Sequence, residues 1–343
     1  MPRAMHRHRK VYRLKKISTM VKSEEILRIV SAAIEALPYN RRPSSLYEPI
    51  RYVLSMGGKR IRPVLMLLTY NLYRDDIATI LPQACALETY HNYTLLHDDL
   101  MDNAALRRGH ATVHTRWNDN TAILSGDTML VLAYRQMAQC DNNGLAAVMQ
   151  LFTETAIEIG EGQQYDMDFE QRDDVSEDEY IEMIRLKTGV LLACATKMGA
   201  MLAGAPDDEA DRLYRFGEAL GLAFQLQDDY LDVYGDTKVL GKAIGGDIVS
   251  NKKTYMLINA MRLADAAQRA EIDRWLAAKP CDAAAKIAAI TRIYNAIGID
   301  RLAITAIDNY FRQSLSHLEE VQLPAENKQE LRRYVADMMR REY

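Results

Sequence analysis

The sequence YTLLHDDLMD at residues 93–102 ends an apolar run with three aspartates, and LAFQLQDDYLD at residues 222–232 repeats this pattern 130 residues later. Both runs have the apolar spacing of a helix packed in a core. The outer aspartates of each cluster lie four residues apart, so in a helix they share one face. The first cluster contains Asp98, Asp99 and Asp102, and the second contains Asp228, Asp229 and Asp232.

Two clusters of carboxylates in matched settings predict a bound cation. Acids that face one another across a helical core would repel at neutral pH unless something positive lay between them. Mg²⁺ is the natural candidate, because it binds carboxylate oxygen and keeps positions open for water and substrate phosphate. The same spacing occurs at Asp207 and Asp211, but there Pro206 indicates a helix start, where the helix dipole favours acids. We interpret that pair as a solvated helix start.

Composition and charge exclude two classes of protein. The 343 residues are 48% hydrophobic and 26% charged, and no uninterrupted apolar stretch is long enough to cross a bilayer, which argues against stable membrane insertion. Residues 1–22 hold eight Lys and Arg and no acid, which leaves 35 bases against 47 acids and argues against a nucleic-acid surface. We predict that residues 1–22 are a disordered, dispensable leader, although a targeting segment or a natural start at Met20 would also explain them.

The four cysteines, at positions 85, 140, 194 and 281, are widely separated and lack the paired spacing of a metal site. They predict reduced, buried thiols in a cytoplasmic protein.

From Ser23 onward the apolar pattern is helical nearly everywhere, and it predicts an all-α fold. A capping box at residues 176–179, prolines before new starts and the pair Gly57-Gly58 mark the breaks between helices. No linker divides the chain, so both aspartate clusters are expected in one bundle, on facing helices. The predicted helices span residues 23–36, 44–56, 60–73, 76–104, 118–139, 143–168, 176–203, 207–235, 251–263, 267–278, 282–297, 299–318 and 324–341.

Basic residues occur where a diphosphate beside the clusters would need them. Lys59 and Arg62 lie three apart at a predicted helix start and could hold one phosphate group, although a solvated basic turn has the same pattern. Arg107-Arg108 follows the first cluster closely. His91 lies two turns before Asp98 on the same side of the helix, where an imidazole could donate to phosphate.

Downstream of the second cluster, residues 241–248 form a glycine-rich loop that carries Lys242 and Asp247 and is followed by Lys252. Glycines allow such a loop to close over phosphate, but the Gly-Lys-Ser/Thr ending of a Walker A loop is missing.

Polar residues also interrupt two apolar helices. Lys187-Thr188 and Gln163-Gln164, the latter near Asp166, would be awkward core groups without partners. A lysine that snorkels to the surface would explain Lys187 equally well.

These motifs, in this order, resemble those of the trans-isoprenyl diphosphate synthases of the polyprenyl synthetase family. The resemblance covers roughly residues 23–343 and rests on the segments GGKRIRP, DDLMD, RRG, KTG, DDYLD and GK. It implies a polyprenyl synthetase domain, an all-helical bundle around a deep central cavity, and a homodimer. The implied reaction is a Mg²⁺-dependent head-to-tail condensation of isopentenyl diphosphate with an allylic diphosphate, which would be dimethylallyl, geranyl or farnesyl diphosphate.

The resemblance also implies residue roles by matching position. The expected Mg²⁺ ligands are Asp98, Asp102 and Asp228, with direct or water-mediated support from Asp99, Asp229, Asp232, Asp166 and Asp247. The expected contacts to isopentenyl diphosphate are Lys59, Arg62, His91 and Arg108. Those to the allylic diphosphate are Arg107, Lys187, Lys242 and Lys252, with Thr188 and Gln225 near the reacting carbons.

Other functions stay open at this point. No Ser, Cys or His nucleophile is paired with a base, so the site should ionise a leaving group by electrostatics. A class I terpene cyclase would also do this, but an Asn/Ser/Glu second motif is expected there. A catalytically silent partner subunit of a prenyl synthase should lack some of these acids, and a di-iron bundle should carry Glu-x-x-His pairs.

The residues before the first cluster predict the product length. Tyr90, Thr94 and Asp98 step by four along the helix, so a growing product meets small Thr94 before bulky Tyr90, with Tyr93 at the side. In the family, bulk four and five residues before the first aspartate limits the product, and paired aromatics accompany farnesyl products. Only the fifth position, Tyr93, is aromatic here, which predicts geranylgeranyl diphosphate with farnesyl diphosphate the alternative. Simple core packing would also explain both tyrosines.

Overall fold

The computed structural model of the chain describes residues 20–140, 142–235, 244–278 and 282–340, and it confirms the predicted all-α fold. The first half contains α1 (Ser23–Glu35), α2 (Ser44–Ser55), α3 (Ile61–Asn71), α4 (Leu81–Met101), α5 (Val113–Arg116), α6 (Asp119–Met137) and α7 (Asn142–Glu170). The second half contains α8 (Glu177–Ile184), α9 (Val190–Leu202), α10 (Asp207–Tyr234), α11 (Gly246–Val249), α12 (Tyr255–Leu263), α13 (Ala266–Ala277), α14 (Ala283–Ile297), α15 (Ile299–Glu320) and α16 (Ala325–Met339). Two short strands, β1 (Leu106–Arg107) and β2 (His110–Ala111), form an antiparallel hairpin between α4 and α5.

Most predicted helices are observed with ends shifted by a few residues, and the capping box at Ser176 is confirmed by its bonds with Glu179. Three predictions were wrong in part. The helix predicted over residues 76–104 is a 3₁₀ turn (Ile77–Ile80) followed by α4. The helix predicted over residues 176–203 is interrupted by a π-helical turn. The helix predicted from residue 251 cannot include Asn251, which has a left-handed φ of 61°, and α12 begins instead at Tyr255, where the Thr254 side chain accepts from the Leu257 N–H.

Helix α10 lies at the centre of the bundle, packed between α9 and α15, with α3 against α9 and α4 against α6. Two glycines allow α10 to lie close to the segment that leads into α9. A Cβ atom added to Gly221 of α10 would lie 2.5 Å from the Gly189 Cα atom, too close for any side chain. Fully buried aromatics such as Phe216 fill the core between the helices, and each contributes about 1.5–3 kcal/mol of hydrophobic stabilisation.

The first and last helices pack together. The backbone N–H of Ser23 donates to Glu330 Oε1 at 2.7 Å, and Arg333 donates to both Glu330 and Glu24. Most of the predicted leader, residues 1–19, lies outside the described residues, but Val21 donates to the Asn71 side chain at 2.8 Å.

The cysteine prediction is confirmed for two positions and corrected for a third. Cys85 and Cys194 are buried free thiols, whereas Cys140 is only half-buried; Cys281 lies outside the described residues. Among the helices that the structure describes, none has the length and apolarity needed to cross a membrane.

Candidate active site

The two aspartate clusters lie at the ends of α4 and α10, and the charge of Lys252 interacts with Asp98 of the first and Asp229 of the second. Lys187 Nζ lies 3.1 Å from Asp98 Oδ1 and 2.6 Å from Asp166 Oδ2 on α7. Lys252 Nζ lies 3.7 Å from the same Asp166 oxygen, and its charge interacts with Asp229 of the second cluster. Cations at helix C-termini also offset the negative ends of the helix dipoles. The structure therefore brings both clusters into one site.

The charges of this site shift its pKa values. Burial opposes the charge of Asp166, yet the nearby Lys252 and Lys187 lower the pKa of this carboxyl. Burial would also lower the pKa of Lys252, but the surrounding acids, Asp166 first, raise it. Asp102 is exposed at the end of α4, but partial desolvation and the neighbouring charge of Asp98 still raise its pKa. The first cluster thus contains an acid whose ionisation a further cation would favour.

The β1–β2 hairpin carries Arg107 into the first cluster. Arg107 Nε donates to Asp99 Oδ1 at 2.7 Å, and its Nη2 atom lies 3.6 Å from Asp98 Oδ2. Asp99 is buried, and burial raises its pKa while Arg107 opposes that shift. Asp99 therefore has a protein cation, Arg107, as its partner.

A π-helical turn (Arg185–Gly189) positions Lys187 and Thr188. Turns of this kind insert an extra residue into a helix and often occur at functional sites. Gly162 of α7 makes room for this one, because a Cβ atom there would lie 2.4 Å from the Lys187 backbone nitrogen. Lys187, which interrupts an apolar helix in the sequence, is thus half-buried and paired with Asp98 and Asp166.

In the second cluster, Asp229 and Asp232 are buried and bonded to protein groups. Asp229 accepts hydrogen bonds from the Tyr180 hydroxyl and from Gln225 Nε2, and Asp232 accepts one from the Asp247 backbone N–H at 2.9 Å. Burial, together with the charge of Asp247, raises the pKa of Asp229 to about 7. The third member, Asp228, is half-buried.

Four residues expected to bind isopentenyl diphosphate occur around the turn between α2 and α3. Arg62 Nη1 lies 3.1 Å from His91 Nε2, and since a guanidinium only donates, the His91 proton lies on Nδ1. Burial lowers the pKa of Arg62 to about 10 and, with the Arg62 charge, lowers the pKa of His91 well below its usual value. Arg108 donates to the Gly57 carbonyl oxygen, and Lys59 is exposed on the same turn.

The Gly57-Gly58 pair is required at this turn. Both residues have positive φ angles, 74° and 124°, which side chains rarely adopt. A Cβ atom on Gly58 would also lie 2.8 Å from the guanidinium carbon of Arg108.

Two residues that support the site were not predicted from the sequence. Arg60, at the start of α3, is buried in an ion pair with Glu88, with Nη1 2.6 Å from Oε1. The sequence did contain an indication of this pair: Glu88 lies within the apolar face of α4, and a buried acid requires a cation as its partner. Tyr180 lies two turns before Lys187 and reaches Asp229, but nothing in its spacing distinguished it from a core tyrosine.

Some predicted residues lie elsewhere. Lys242 is outside the described residues. Gln164 was wrongly predicted as a core group, since it is exposed and bonds Asp168, and half-buried Gln163 contacts the Met101 sulfur at 3.8 Å.

The residues predicted to limit the product form an aromatic group beneath the first cluster. Tyr90 is buried, with its ring centroid 5.2 Å from that of Phe152 and 5.5 Å from that of Tyr93. Tyr93 is half-buried against His97, at 4.9 Å, and the Thr94 hydroxyl donates to the His91 carbonyl oxygen at 2.8 Å. A wall of large aromatic rings is thus present on α4.

Within the described residues, no three Asp, Glu, His or Cys side chains converge as a complete metal site.

Comparisons with known proteins agree with this geometry. The sequence profile of the polyprenyl synthetase family matches residues 43–294. A geranylgeranyl diphosphate synthase of Methanosarcina mazei is 42% identical over 233 residues, 67% of this chain and 72% of the relative. A geranylfarnesyl diphosphate synthase of Natronomonas pharaonis is 36% identical over 300 residues, 82% of this chain and 86% of the relative. A crystal structure of a geranylgeranyl pyrophosphate synthase superposes with a TM-score of 0.86 at 39% identity, covering 93% of this chain and 98% of that one.

Proposed function

The chain belongs to the polyprenyl synthetase family, and we propose that it joins isopentenyl diphosphate head to tail to an allylic diphosphate, with geranylgeranyl diphosphate as the main product. It is a short-chain isoprenyl diphosphate synthase, a prenyltransferase. One observation carries the proposal: Lys252 interacts with aspartates of both clusters, and Lys187, which shares Asp166 with Lys252, contacts Asp98 of the first cluster. A site with acids on both sides and cations between them suits a diphosphate held with metal ions.

The acids of the site fit Mg²⁺. The donors are carboxylate oxygens, and burial together with Asp98 raises the pKa of Asp102, so a cation would be favoured beside it. Mg²⁺ usually has few protein ligands, because it binds through one or two carboxylates together with substrate phosphate. We propose that Asp98, Asp102 and Asp228 hold it. Bound there, Mg²⁺ would neutralise the charge that develops on the departing diphosphate.

Different residues of the chain bind the allylic diphosphate and stabilise the allylic cation. Lys187, Lys252 and Arg107 bind the allylic diphosphate and stabilise its negative charge as the carbon–oxygen bond breaks. Thr188 and Gln225 place neutral dipoles beside the allylic cation and offer it no strong nucleophile. The isopentenyl double bond then attacks that cation to form the new carbon–carbon bond, and the departing diphosphate takes the proton that is lost. The reaction requires that water be kept from this cation until the new bond has formed.

A catalytically silent partner subunit is the second candidate, and completeness of the site argues against it. Every acid of both clusters is present, and Lys252 interacts with both clusters. The test is to mix the protein with Mg²⁺, isopentenyl diphosphate and an allylic diphosphate. Pyrophosphate release only when both substrates are present supports the synthase, whereas release from the allylic diphosphate alone would indicate a cyclase.

We also propose a homodimer, supported by an exposed apolar face on α6. Leu124 and Val131 lie two turns apart on this helix and are 59% and 67% exposed, and Ile123 is exposed beside them. Such side chains are typical of a surface that a second chain covers. Sedimentation equilibrium measures the mass directly.

The two sets of basic residues should affect different substrates. We expect Arg62→Ala or Lys59→Ala to raise the KM for isopentenyl diphosphate about tenfold, because one charge-assisted phosphate contact is lost. Arg107→Ala should instead raise the KM for the allylic diphosphate. Steady-state titrations of each substrate measure both effects, with exposed Arg51→Ala as the control. Equal changes for both substrates would refute the division.

Removing the Tyr93 ring should lengthen the product. The ring lies against Tyr90 and His97 beneath the first cluster, so Tyr93→Ala opens space where the growing chain is expected. Chromatography of the dephosphorylated products would show chains longer than those of the native enzyme. Tyr47→Ala, a half-buried tyrosine of α2, is the control. An unchanged product pattern in an active Tyr93→Ala enzyme would show that Tyr93 does not limit the product.

A further inference from the structure

Four polar side chains form a continuous hydrogen-bonded chain from the core to the reacting region. The Tyr180 hydroxyl of α8 donates to Asp229 Oδ2, and Gln225 Nε2 donates to Asp229 Oδ1 at 3.0 Å. Gln225 Oε1 in turn accepts from the Thr188 hydroxyl at 3.0 Å. Tyr180 is 1% exposed and Asp229 is 5% exposed, so the inner half of this chain is closed to solvent.

The order of donors and acceptors along this chain is determined by the Gln225 amide. Its nitrogen atom, which can only donate, faces Asp229 Oδ1, so Asp229 accepts from Gln225 as well as from Tyr180. The Gln225 carbonyl oxygen therefore faces Thr188. Since that carbonyl oxygen only accepts, the Thr188 hydroxyl must donate its single proton to Gln225.

This order decides what Thr188 presents to the substrate. With its proton committed to Gln225, the Thr188 oxygen has only lone pairs left for other neighbours. Lone pairs stabilise a positive charge that develops nearby, whereas an O–H directed at the same place would oppose it. The Thr188 oxygen lies 3.0 Å from Gln225 Oε1, and Gln225 is one turn before Asp228 on α10, which places Thr188 beside the second cluster.

Tyr180 is the inner anchor of this chain. Asp229 and Gln225 both lie on α10 and bond each other across one helical turn, so α10 alone does not hold the second carboxylate oxygen. Tyr180 supplies that contact from a different helix, and the same helical segment continues into the turn that carries Thr188. Without the hydroxyl, the Asp229 carboxylate would lose one of the two donors that set its orientation.

We propose that Tyr180 is a positioning residue which, through Asp229 and Gln225, keeps the Thr188 hydroxyl turned so that its lone pairs face the allylic cation. The inference rests on the proposed function, because it concerns the cation formed in that reaction. It assigns Asp229 to this chain of hydrogen bonds rather than to direct metal binding.

The test is a cycle of Tyr180→Phe and Thr188→Val, with steady-state kcat and KM measured for both substrates. Tyr180→Phe removes one hydrogen bond to a charged group, and we expect kcat to fall about tenfold with little change in either KM. In the Thr188→Val enzyme, which lacks the hydroxyl, Tyr180→Phe should have no further effect on kcat. In the Thr188→Ser enzyme, which keeps the hydroxyl, it should again lower kcat about tenfold.

Tyr70→Phe is the matched control. The Tyr70 hydroxyl also donates to an aspartate, Asp76 at 2.8 Å, but on α3 and away from the reacting groups. Its loss should leave kcat unchanged. If Tyr180→Phe lowered kcat by the same factor with and without the Thr188 hydroxyl, or behaved like Tyr70→Phe, the proposal would be overturned.

A second variant decides the matter if Tyr180→Phe does not fold. Asp229→Leu is close to isosteric and disconnects Gln225 while leaving Tyr180 in place. Its loss in kcat should disappear in the Thr188→Val enzyme, whereas multiplying losses would overturn the proposal. An inactive native protein would refute the proposed function itself, which distinguishes the two failures.

Discussion

The Asp98→Ala, Asp102→Ala and Asp228→Ala variants are expected to lose about two to four orders of magnitude in turnover and to keep their helical fold. Each change removes a proposed metal ligand at the point where the diphosphate departs. The fold should persist because none of the three side chains belongs to the buried core, and at Asp102 the substitution also relieves repulsion, since burial and then Asp98 raise the pKa of this residue. Turnover at saturating Mg²⁺ and the far-ultraviolet circular dichroism spectrum measure the two effects.

Asp207→Ala and Asp211→Ala are the matched controls, because they have the same four-residue spacing at the beginning of α10. The predicted helix start at Asp207 is confirmed, and Asp211 makes a surface ion pair with Lys197 at 2.6 Å. Their turnover should remain near the native value. If all three cluster variants also kept near-normal turnover, the shared metal site would be refuted.

The second large effect concerns stability. We expect Arg60→Ala to lower the free energy of unfolding by about 3–5 kcal/mol, because it leaves Glu88 buried without its cation. The two side chains of this ion pair are 5% and 3% exposed, and Arg60 also donates to the Leu54 carbonyl oxygen at 2.6 Å. Urea unfolding followed by circular dichroism measures the change, and activity should fall with it because Arg60 begins the helix that carries Arg62.

Arg74→Ala is the control for burial. Its ion pair with Asp76 is 51% and 39% exposed, and exposed pairs contribute only about 0–1 kcal/mol. Replacing both partners of the buried pair, as Arg60→Met with Glu88→Leu, should recover most of the loss, because no uncompensated charge remains. Equal destabilisation by Arg60→Ala and Arg74→Ala would contradict the assignment.

Local patterns predicted most of the fold. Helices such as α1, α10 and α14 follow from apolar spacing and their start signals, which depend on residues within a few positions of one another. The aspartate clusters were equally visible, because residues four apart share a helix face in any helix. The π-helical turn at Arg185–Gly189 was not visible, since its glycine contacts come from α7 and α10.

Some features of the candidate site could be predicted from the sequence, and others appear only in the tertiary structure. The sequence alone determined that two acidic clusters end apolar helices, that basic residues follow them, and that the chain resembles the prenyl synthases. Only the tertiary structure decided which groups are partners: Lys187 bonds Asp98 and Asp166, Arg107 bonds Asp99, and Tyr180 bonds Asp229. The physical reason is that helix propensity and amphipathic spacing act over a few residues, whereas these bonds join different parts of the chain. Their distances depend on how the helices pack, and no local spacing records that.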